Sequence, residues 1–294
     1  MKQCSSKKIK VIAIVGATAS GKTAYSIELA KKIDGEIISA DSRLVYKGMD
    51  IGTAKPTSDE QCGIPHYMID IVEPEFEYSV GLYQKQAKEK IYEIASRGKT
   101  PIVVGGTGLY TDILLKNFSL PSIPPNWDKR NELNNYSSEE LFEILSKKDP
   151  KAAQEIKSAD KKKIIRALEI IEITGQTLDK VRGIKAAEFD VQWIGRNFDR
   201  EILYERIEQR VDKMIENGLI EETKKLIKQH GKIHNIVNTI GYKEILSYLD
   251  KECSIDEAVK KLKQNTRNYA KRQLTWFRKN PEIEWNIYPQ KLKK

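Results

Sequence analysis

The chain has 294 residues, 32% charged and 39% hydrophobic, enough for one large or two modest domains with a sizeable core. Cys4, Cys62 and Cys253 lie far apart with no C-x-x-C pair, which argues against a zinc site or a disulfide framework. The polar N-terminus and the lack of any apolar run near ~18 residues predict a cytoplasmic protein without a membrane span, and a net charge of +9 suits a polyanionic partner without requiring one.

Residues 11–15 are apolar and β-branched and predict a buried strand. It runs into Gly16, Ala17, Thr18, Ala19, Ser20, Gly21, Lys22 and Thr23, which fit G-x-x-x-x-G-K-[ST]. Ala24, Ile27, Leu29, Ala30 and Ile33 then recur at near-helical spacing. A strand, a glycine loop and a helix N-terminus predict a P-loop, whose backbone N–H groups converge on phosphate oxygens. Lys22 would supply a point charge and Thr23 a hydroxyl for Mg²⁺. The loop indicates a di- or triphosphate without saying which, and the bland alternative is a chance match in an ordinary βα turn.

Residues 36–40 predict a second strand, followed at once by Asp41, Ser42, Arg43 and Leu44. Ligands of doubly wound sheets sit beyond the carboxyl ends of the strands, so Asp41 could face the P-loop ligand. There it could hold Mg²⁺ or take a proton from an attacking group; it could equally cap the next turn. Residues 47–65, rich in glycine and proline, read as a long surface loop. A third strand is expected over 67–72 and a helix over 79–97, closed by Gly98. A fourth strand over 101–104 leads into Gly105, Gly106, Thr107 and Gly108. The acid of a Walker B strand is missing there, which weakens an ATPase reading.

A proline-bearing stretch at 116–126 marks a boundary, with a P-loop core at 1–118, an insertion at 119–186 and a return to the core at 187–294. Ser137 and Glu140 offer a capping box for a helix to 147. Asp160 caps another, with Ile164, Leu168 and Ile171 on one face and Gly175 after its end. Lys161, Lys162, Lys163 and Arg166 crowd its early part, either as a solvated face or for a partner. Residues 191–195 predict a strand returning to the sheet. Asp199 caps a long helix with Ile202, Ile207, Val211 and Met214 inside. Arg206 and Arg210, four apart, could clamp one anion together or pair with Glu205 or Glu208 in solvent.

Ser254 and Glu257 open a last helix, through 279. Lys260, Arg267, Lys271 and Arg278 align along it, with Lys263 beside them, opposite Val259, Leu262, Tyr269, Ala270, Trp276 and Phe277. Eight basic residues and no acid between 258 and 279 read as a phosphate-backbone track rather than a solvated face. His66, His230 and His234 have no ligand spacing and read as loop residues.

Eight stretches carry a family resemblance: GATASGKT at 16–23, ADSRLVYKGMDIGTAKP at 40–56, GIPHYMIDI at 63–71, GKTPIVVGGTGLY at 98–110, RALEIIEITG at 166–175, RIEQRVDKMIENGLIEE at 206–222, TIGYKE at 239–244 and AKRQLTWFR at 270–278. In order, and over nearly the whole chain, they resemble the bacterial tRNA dimethylallyltransferases (tRNA isopentenyltransferases). The second stretch is far more specific than the P-loop. The resemblance implies an α/β fold: a P-loop NTPase-like parallel sheet flanked by helices, with a smaller all-helical insertion domain. It also implies a reaction, in which dimethylallyl diphosphate gives its five-carbon group to the exocyclic N6 amine of the tRNA adenosine 3′ of the anticodon, and diphosphate leaves. The P-loop then holds an isoprenoid diphosphate instead of hydrolysing ATP, which accounts for the missing Walker B acid.

By the same resemblance Asp41 is the general base, and Lys22 and Thr23, the latter through Mg²⁺, steady the diphosphate cradled by 16–23. Thr107 lies near the reacting groups, and Arg206 and Arg210 stabilise the leaving charge. Contacts to the tRNA anticodon stem-loop are implied for Asp41, Ser42, Arg43, Leu44 and Thr107, and in the insertion for Lys129, Arg130, Lys162, Lys163 and Arg166. They are implied further along for Gly241, Tyr242 and Lys243, and for Arg267 and Lys271. The target base must be drawn out of its loop into a channel. Lys163 departs from the family, which commonly has arginine three residues before Arg166, and lysine lacks the bidentate fork. A monomer is expected. A small-molecule P-loop kinase would need an adenine clamp and a lid arginine pair, which are not identifiable. An adenylate isopentenyltransferase would need no basic track, and Asp41 argues against an RNA-binding protein without chemistry.

Overall fold

The computed structural model describes residues 8–119, 123, 126–181, 183–184 and 187–287. Cys4 with the rest of the N-terminal stretch to residue 7, the boundary prolines Pro121, Pro124 and Pro125, and the expected insertion end at 186 lie outside the described residues. Along the chain come β1 (Ile9–Gly16), α1 (Lys22–Ile33), β2 (Gly35–Ser39), α2 (Ser58–Gln61), β3 (His66–Tyr67), α3 (Val80–Ser96), β4 (Thr100–Gly105) and α4 (Gly108–Leu115). Then follow β5 (Phe118–Ser119), α5 (Trp127–Asn134), α6 (Ser138–Lys148), α7 (Pro150–Glu155), α8 (Lys161–Thr174), α9 (Leu178–Val181) and β6 (Gly183–Ile184). The chain closes with β7 (Phe189–Asn197), α10 (Arg200–Glu216), α11 (Leu219–His230), α12 (His234–Val237), α13 (Tyr242–Leu249), α14 (Ile255–Phe277) and β8 (Glu284–Ile287). It divides into two compact units, Met1–Leu115 with Glu188–Lys294, and Lys116–Ala187.

The first unit is built on a six-stranded parallel sheet in the order β3-β2-β4-β1-β7-β8. Its central strands are apolar on both faces, as a parallel sheet covered by helices on both sides requires. Alternation assigns Ile14, Ile37, Ile102, Val104 and Ile194 to the face under α1, where Ile27 and Ala30 meet them. Val11, Ala13, Val15, Ile38, Val103 and Trp193 belong to the main core, with Tyr83, Ile91, Tyr242, Leu262 and Phe277 from the helices.

The third strand is much shorter than its β-rich sequence suggests. Met68 and Asp70 take φ of 64° and 53°, which turns the chain out of the sheet, and pairing returns only as a bridge between Tyr46 and Val72. Residues 47–65 are more than a surface loop: they bury Met49 and contain α2, opened by a capping box at Thr57. On α10 it is Leu203, not Ile202, that reaches the core, and Asp199 makes no side-chain cap bond. The histidines sit in β3 and at the ends of α11 and α12, not in loops. No helix among the described residues is long and apolar enough to cross a membrane.

The second unit packs α5–α9 around Leu141, Leu145, Ile164, Ala167, Leu168 and Ile170. Ser137 and Glu140 form the capping box of α6, and Gly175, at φ 64°, ends α8. Beside its helices the unit carries a short antiparallel pair, Phe118 opposite Ile184, so it is not wholly helical.

Candidate active site

Because the sheet is parallel, β1, β2 and β4 all end at one edge. β1 delivers the P-loop there, β2 delivers Asp41, and β4 delivers Gly105, Gly106 and Thr107. A cavity of about 410 Å³ opens at this edge, lined among others by Thr18, Lys22, Thr23, Asp41, Arg43 and Arg210. That size suits a small-molecule site. Lys22 Nζ donates to the Ala17 carbonyl at 2.5 Å. From α10, Arg206 Nε donates to the Ala19 carbonyl at 2.9 Å and Arg210 Nη1 to Thr18 Oγ1 at 3.0 Å. The i,i+4 pair is thus laid against the P-loop, while Glu208 takes Arg267 at 2.8 Å.

Burial and the neighbouring Arg210 guanidinium push the Lys22 ammonium down to about 7, against the opposing pull of Asp41. Burial likewise lowers Arg210, again countered by Asp41. Two enclosed cations therefore share one carboxylate within electrostatic range, and a polyanion entering beside them would relieve their mutual repulsion.

Asp41 Oδ1 accepts from the Arg43 N–H at 2.8 Å, the turn-capping bond of its bland alternative, and the residue lines the cavity as well. Ser42 N donates to Thr107 Oγ1 and Thr107 N to the Ala40 carbonyl, both at 3.2 Å, which clamps the ends of β2 and β4 together. Tyr269 of α14 lines the same cavity and hydrogen-bonds Thr107; burial and the Asp41 carboxylate raise its phenol to about 12.

Gln273, one helical turn on, bridges two loops. Its Oε1 accepts from Thr18 N at 2.8 Å and its Nε2 donates to the Gly106 carbonyl at 2.9 Å. The glycines that replace a Walker B acid have no room for a side chain. A Cβ on Gly105 would stand 2.1 Å from the Ala40 carbonyl oxygen, and one on Gly106 2.1 Å from Gln273 Nε2. Neither Gln273 nor Asn235, which accepts from Arg43 Nη1 at 3.4 Å, was anticipated from the sequence. A signal for Gln273 did exist: it falls on the inner face of α14 with Leu262, Ala270 and Phe277.

Of the residues implied in tRNA contact, Ser42, Arg43 and Leu44 line the cavity and Thr107 adjoins it. Gly241 and Tyr242 do not present themselves to an external RNA. Both are buried; the Tyr242 hydroxyl donates to Glu222 Oε1 at 2.7 Å, and Gly241 N donates to Glu244 Oε2 at 2.8 Å. Lys243 beside them is exposed.

The basic stripe of α14 is broken. Lys260, Lys271 and Arg278 are exposed, whereas Lys263 and Arg267 pair with Asp212 and Glu208 of α10. Trp276, expected on the packed face, is 41% exposed. In the second unit Lys162 is exposed, while Lys129 pairs with Glu132 and Glu172 and Lys163 with Asp160. Arg130 and Arg166 both grip the fully buried Glu169.

Among the described residues no cluster of three or more His, Cys, Asp or Glu could hold a metal ion by itself. Thr23, Asp41 and Ser39 are oxygen donors lining the cavity, and the buried Ser39 hydroxyl has no hydrogen-bond partner among the described residues. Hard oxygen donors of this kind fit Mg²⁺, which keeps waters and takes phosphate oxygens in its shell.

Two family models match the chain, one described as IPP transferase over residues 44–280 and one as isopentenyl transferase over residues 9–71. The tRNA dimethylallyltransferase of Thermoanaerobacter sp. (strain X514) is 50% identical over 287 residues, covering 94% of this chain and 91% of its own length. The crystal structure of the tRNA isopentenylpyrophosphate transferase from Bacillus halodurans superposes with a TM-score of 0.72 at 45% identity, covering 96% of this chain and 90% of that one. A eukaryotic dimethylallyltransferase captured acting on tRNA superposes with a TM-score of 0.83 at 30% identity, covering 95% of this chain and 74% of that one.

Proposed function

The chain belongs to the IPP transferase family, and on that premise we propose that it transfers a dimethylallyl group from dimethylallyl diphosphate to the N6 amine of the tRNA adenosine 3′ of the anticodon. One observation carries the reading: a single cavity lined by the P-loop residues Lys22 and Thr23, by Arg210 and by Asp41. A phosphate cradle alone would fit many reactions. A carboxylate within electrostatic reach of both cradle cations adds a base beside the leaving group.

In this mechanism the adenine amine attacks C1 of the dimethylallyl group, and the C–O bond breaks with its electron pair leaving on diphosphate. The P-loop N–H groups, Lys22, Arg206 and Arg210 hold and neutralise that charge as it develops. Asp41 takes the amine proton, so the product adenosine leaves neutral. Thr23, with Ser39 nearby, would hold Mg²⁺, which supplies further charge neutralisation on the diphosphate. Ile37, Ile69, Val104 and Ile240 give the cavity apolar walls suited to the prenyl tail and to excluding water. Ser42, Arg43, Leu44 and Thr107 would meet the extruded base, with Lys243 and the exposed cations of α14 tracking phosphates. The insertion's Lys129, Arg130, Lys162, Lys163 and Arg166 would serve the anticodon loop. The protein would work as a cytoplasmic monomer.

The test supplies Mg²⁺ and labelled dimethylallyl diphosphate with either an unmodified anticodon stem-loop or AMP. Label is expected in the stem-loop and reduced by about 10²–10⁴ in Asp41→Ala, the usual worth of a general base. Label in AMP alone would make the acceptor a free nucleotide, and ATP turnover without transfer to either would refute the reading.

A further inference from the structure

The loop after the second strand bears on the cavity, yet it is held from a distant helix. Residues 50–52 curl so that three successive N–H groups point at one carboxylate. Asp50 N and Ile51 N donate to Glu222 Oε2 at 3.3 and 2.9 Å, and Gly52 N donates to Oε1 at 3.0 Å. A fourth donor, the Tyr242 hydroxyl, reaches the same Oε1 at 2.7 Å. Consecutive N–H groups gathered on an anion form a nest; here the anion is a side chain of α11, some 170 residues along the chain. The loop also rests on the Tyr242 ring, since a Cβ on Gly52 would meet that ring at 2.5 Å.

The held segment leads directly to the proposed chemistry. Gly52, Thr53, Ala54 and Pro56 line the cavity. The Ala54 carbonyl, two residues past the nest, accepts from Arg210 Nη2 at 3.4 Å, and the other end of that guanidinium reaches Thr18 of the P-loop. Glu222 itself does not line the cavity. We infer that Glu222, seated on Tyr242, is a positioning residue for the diphosphate-binding half of the site: it fixes the 50–54 turn, whose Ala54 carbonyl orients Arg210 toward the donor. Gly241 and Tyr242 of TIGYKE, both buried, then serve this wall.

The inference rests on the transferase reading above, and its test separates the two. Glu222→Ala, Glu222→Gln and Tyr242→Phe are compared with wild type in steady-state transfer and in calorimetric titration with inorganic diphosphate and Mg²⁺, which needs no transfer. Glu222→Ala is expected to lose about tenfold to a hundredfold in kcat/KM for the donor, the scale of a small misplacement of a binding group. Its diphosphate affinity should fall alongside, with the tRNA KM within about twofold of wild type on the same reasoning. Glu222→Gln keeps the length and one acceptor oxygen but sets its NH2 against a backbone N–H that the other oxygen accepted, so it should recover only part of the loss. Wild-type donor kinetics and diphosphate affinity in a folded Glu222→Ala overturn the inference, and so do donor and tRNA constants that deteriorate together. Should Glu222→Ala fail to fold, Tyr242→Phe, which keeps the ring under Gly52 and removes one donor from Glu222, decides by the same criteria. If wild type binds diphosphate but transfers nothing, the transferase reading falls while the titrations still judge Glu222.

Discussion

Binding of diphosphate should draw a proton onto Lys22. In the free protein, burial and Arg210 hold that ammonium at about 7, against 10.5 for an ordinary lysine. A diphosphate beside it removes the reason for the depression, so the bound state holds more protons and affinity must fall as pH rises. If the bound value returns to about 10.5, linkage gives an uptake of about 0.9 proton at pH 8, about half a proton at pH 7 and roughly a tenth at pH 6. The same arithmetic gives Lys22 a share of roughly fifty-fold in the affinity change between pH 7 and pH 9, read as the difference between wild type and Lys22→Arg. Calorimetric titration with inorganic diphosphate, in two buffers of different ionisation enthalpy, reads the uptake directly. Lys22→Arg serves as the control, because a guanidinium stays charged throughout and reports only the protons that the ligand itself exchanges. Equal uptake by wild type and Lys22→Arg at pH 8 would show that Lys22 is already charged in the free protein, and the electrostatic account of the cradle would be wrong.

Gln273→Ala strands the Thr18 N–H and the Gly106 carbonyl, and should cost about 1–3 kcal/mol in a thermal or urea melt while weakening diphosphate binding. Gly106→Ala drives a Cβ into Gln273 Nε2 and breaks the same bridge, so the two changes together should cost clearly less than the sum of each alone in a double-mutant cycle. In the second unit, Glu169 is fully buried and takes Arg130 Nε and Nη2 at 3.0 Å each and the Asn126 N–H at 2.6 Å, besides Arg166; Glu169→Ala should cost about 2–4 kcal/mol at pH 7. Burial alone would raise this carboxyl, but Arg130, Arg166 and the Asn126 N–H outweigh it and hold it below 4.5. Its contribution is therefore complete above 4.5 and is lost as pH falls through the lower folded value, and melts that show the same wild-type advantage at pH 3 as at pH 7 would contradict this.

What could be read from the sequence divides along a physical line. The P-loop, the helix over 79–97, the capping boxes at Ser137 and Ser254 and the Gly175 stop are local: each depends on residues within one turn or one strand, and each formed as its spacing required. Arg206 and Arg210 were legible as a pair because i,i+4 geometry is fixed by the helix, although only the fold could bring α10 against the P-loop. The third strand failed because apolar, β-branched composition says nothing about Met68 and Asp70 turning with positive φ. The one-sign stripe of α14 misled in another way: charges balanced along one helix were the wrong count, since Lys263 and Arg267 find their acids on α10.

The residues that escaped notice are those whose role is to hold another element's backbone. Gln273 binds the Thr18 N–H from 255 residues away, and Glu222 binds Gly52 from 170. No periodicity or motif encodes such a bond, because the partner is a main-chain group that every residue type except proline supplies. The only trace in the sequence is a polar side chain where the pattern asks for an apolar one, as at Gln273. Tyr242, implied in tRNA contact by the resemblance, follows the same logic: it is buried, its hydroxyl donates to Glu222 and its ring carries Gly52. Residues that do chemistry must face the cavity, so their types betray them. Residues that aim those groups face inward, and only the fold reveals which backbone they grip.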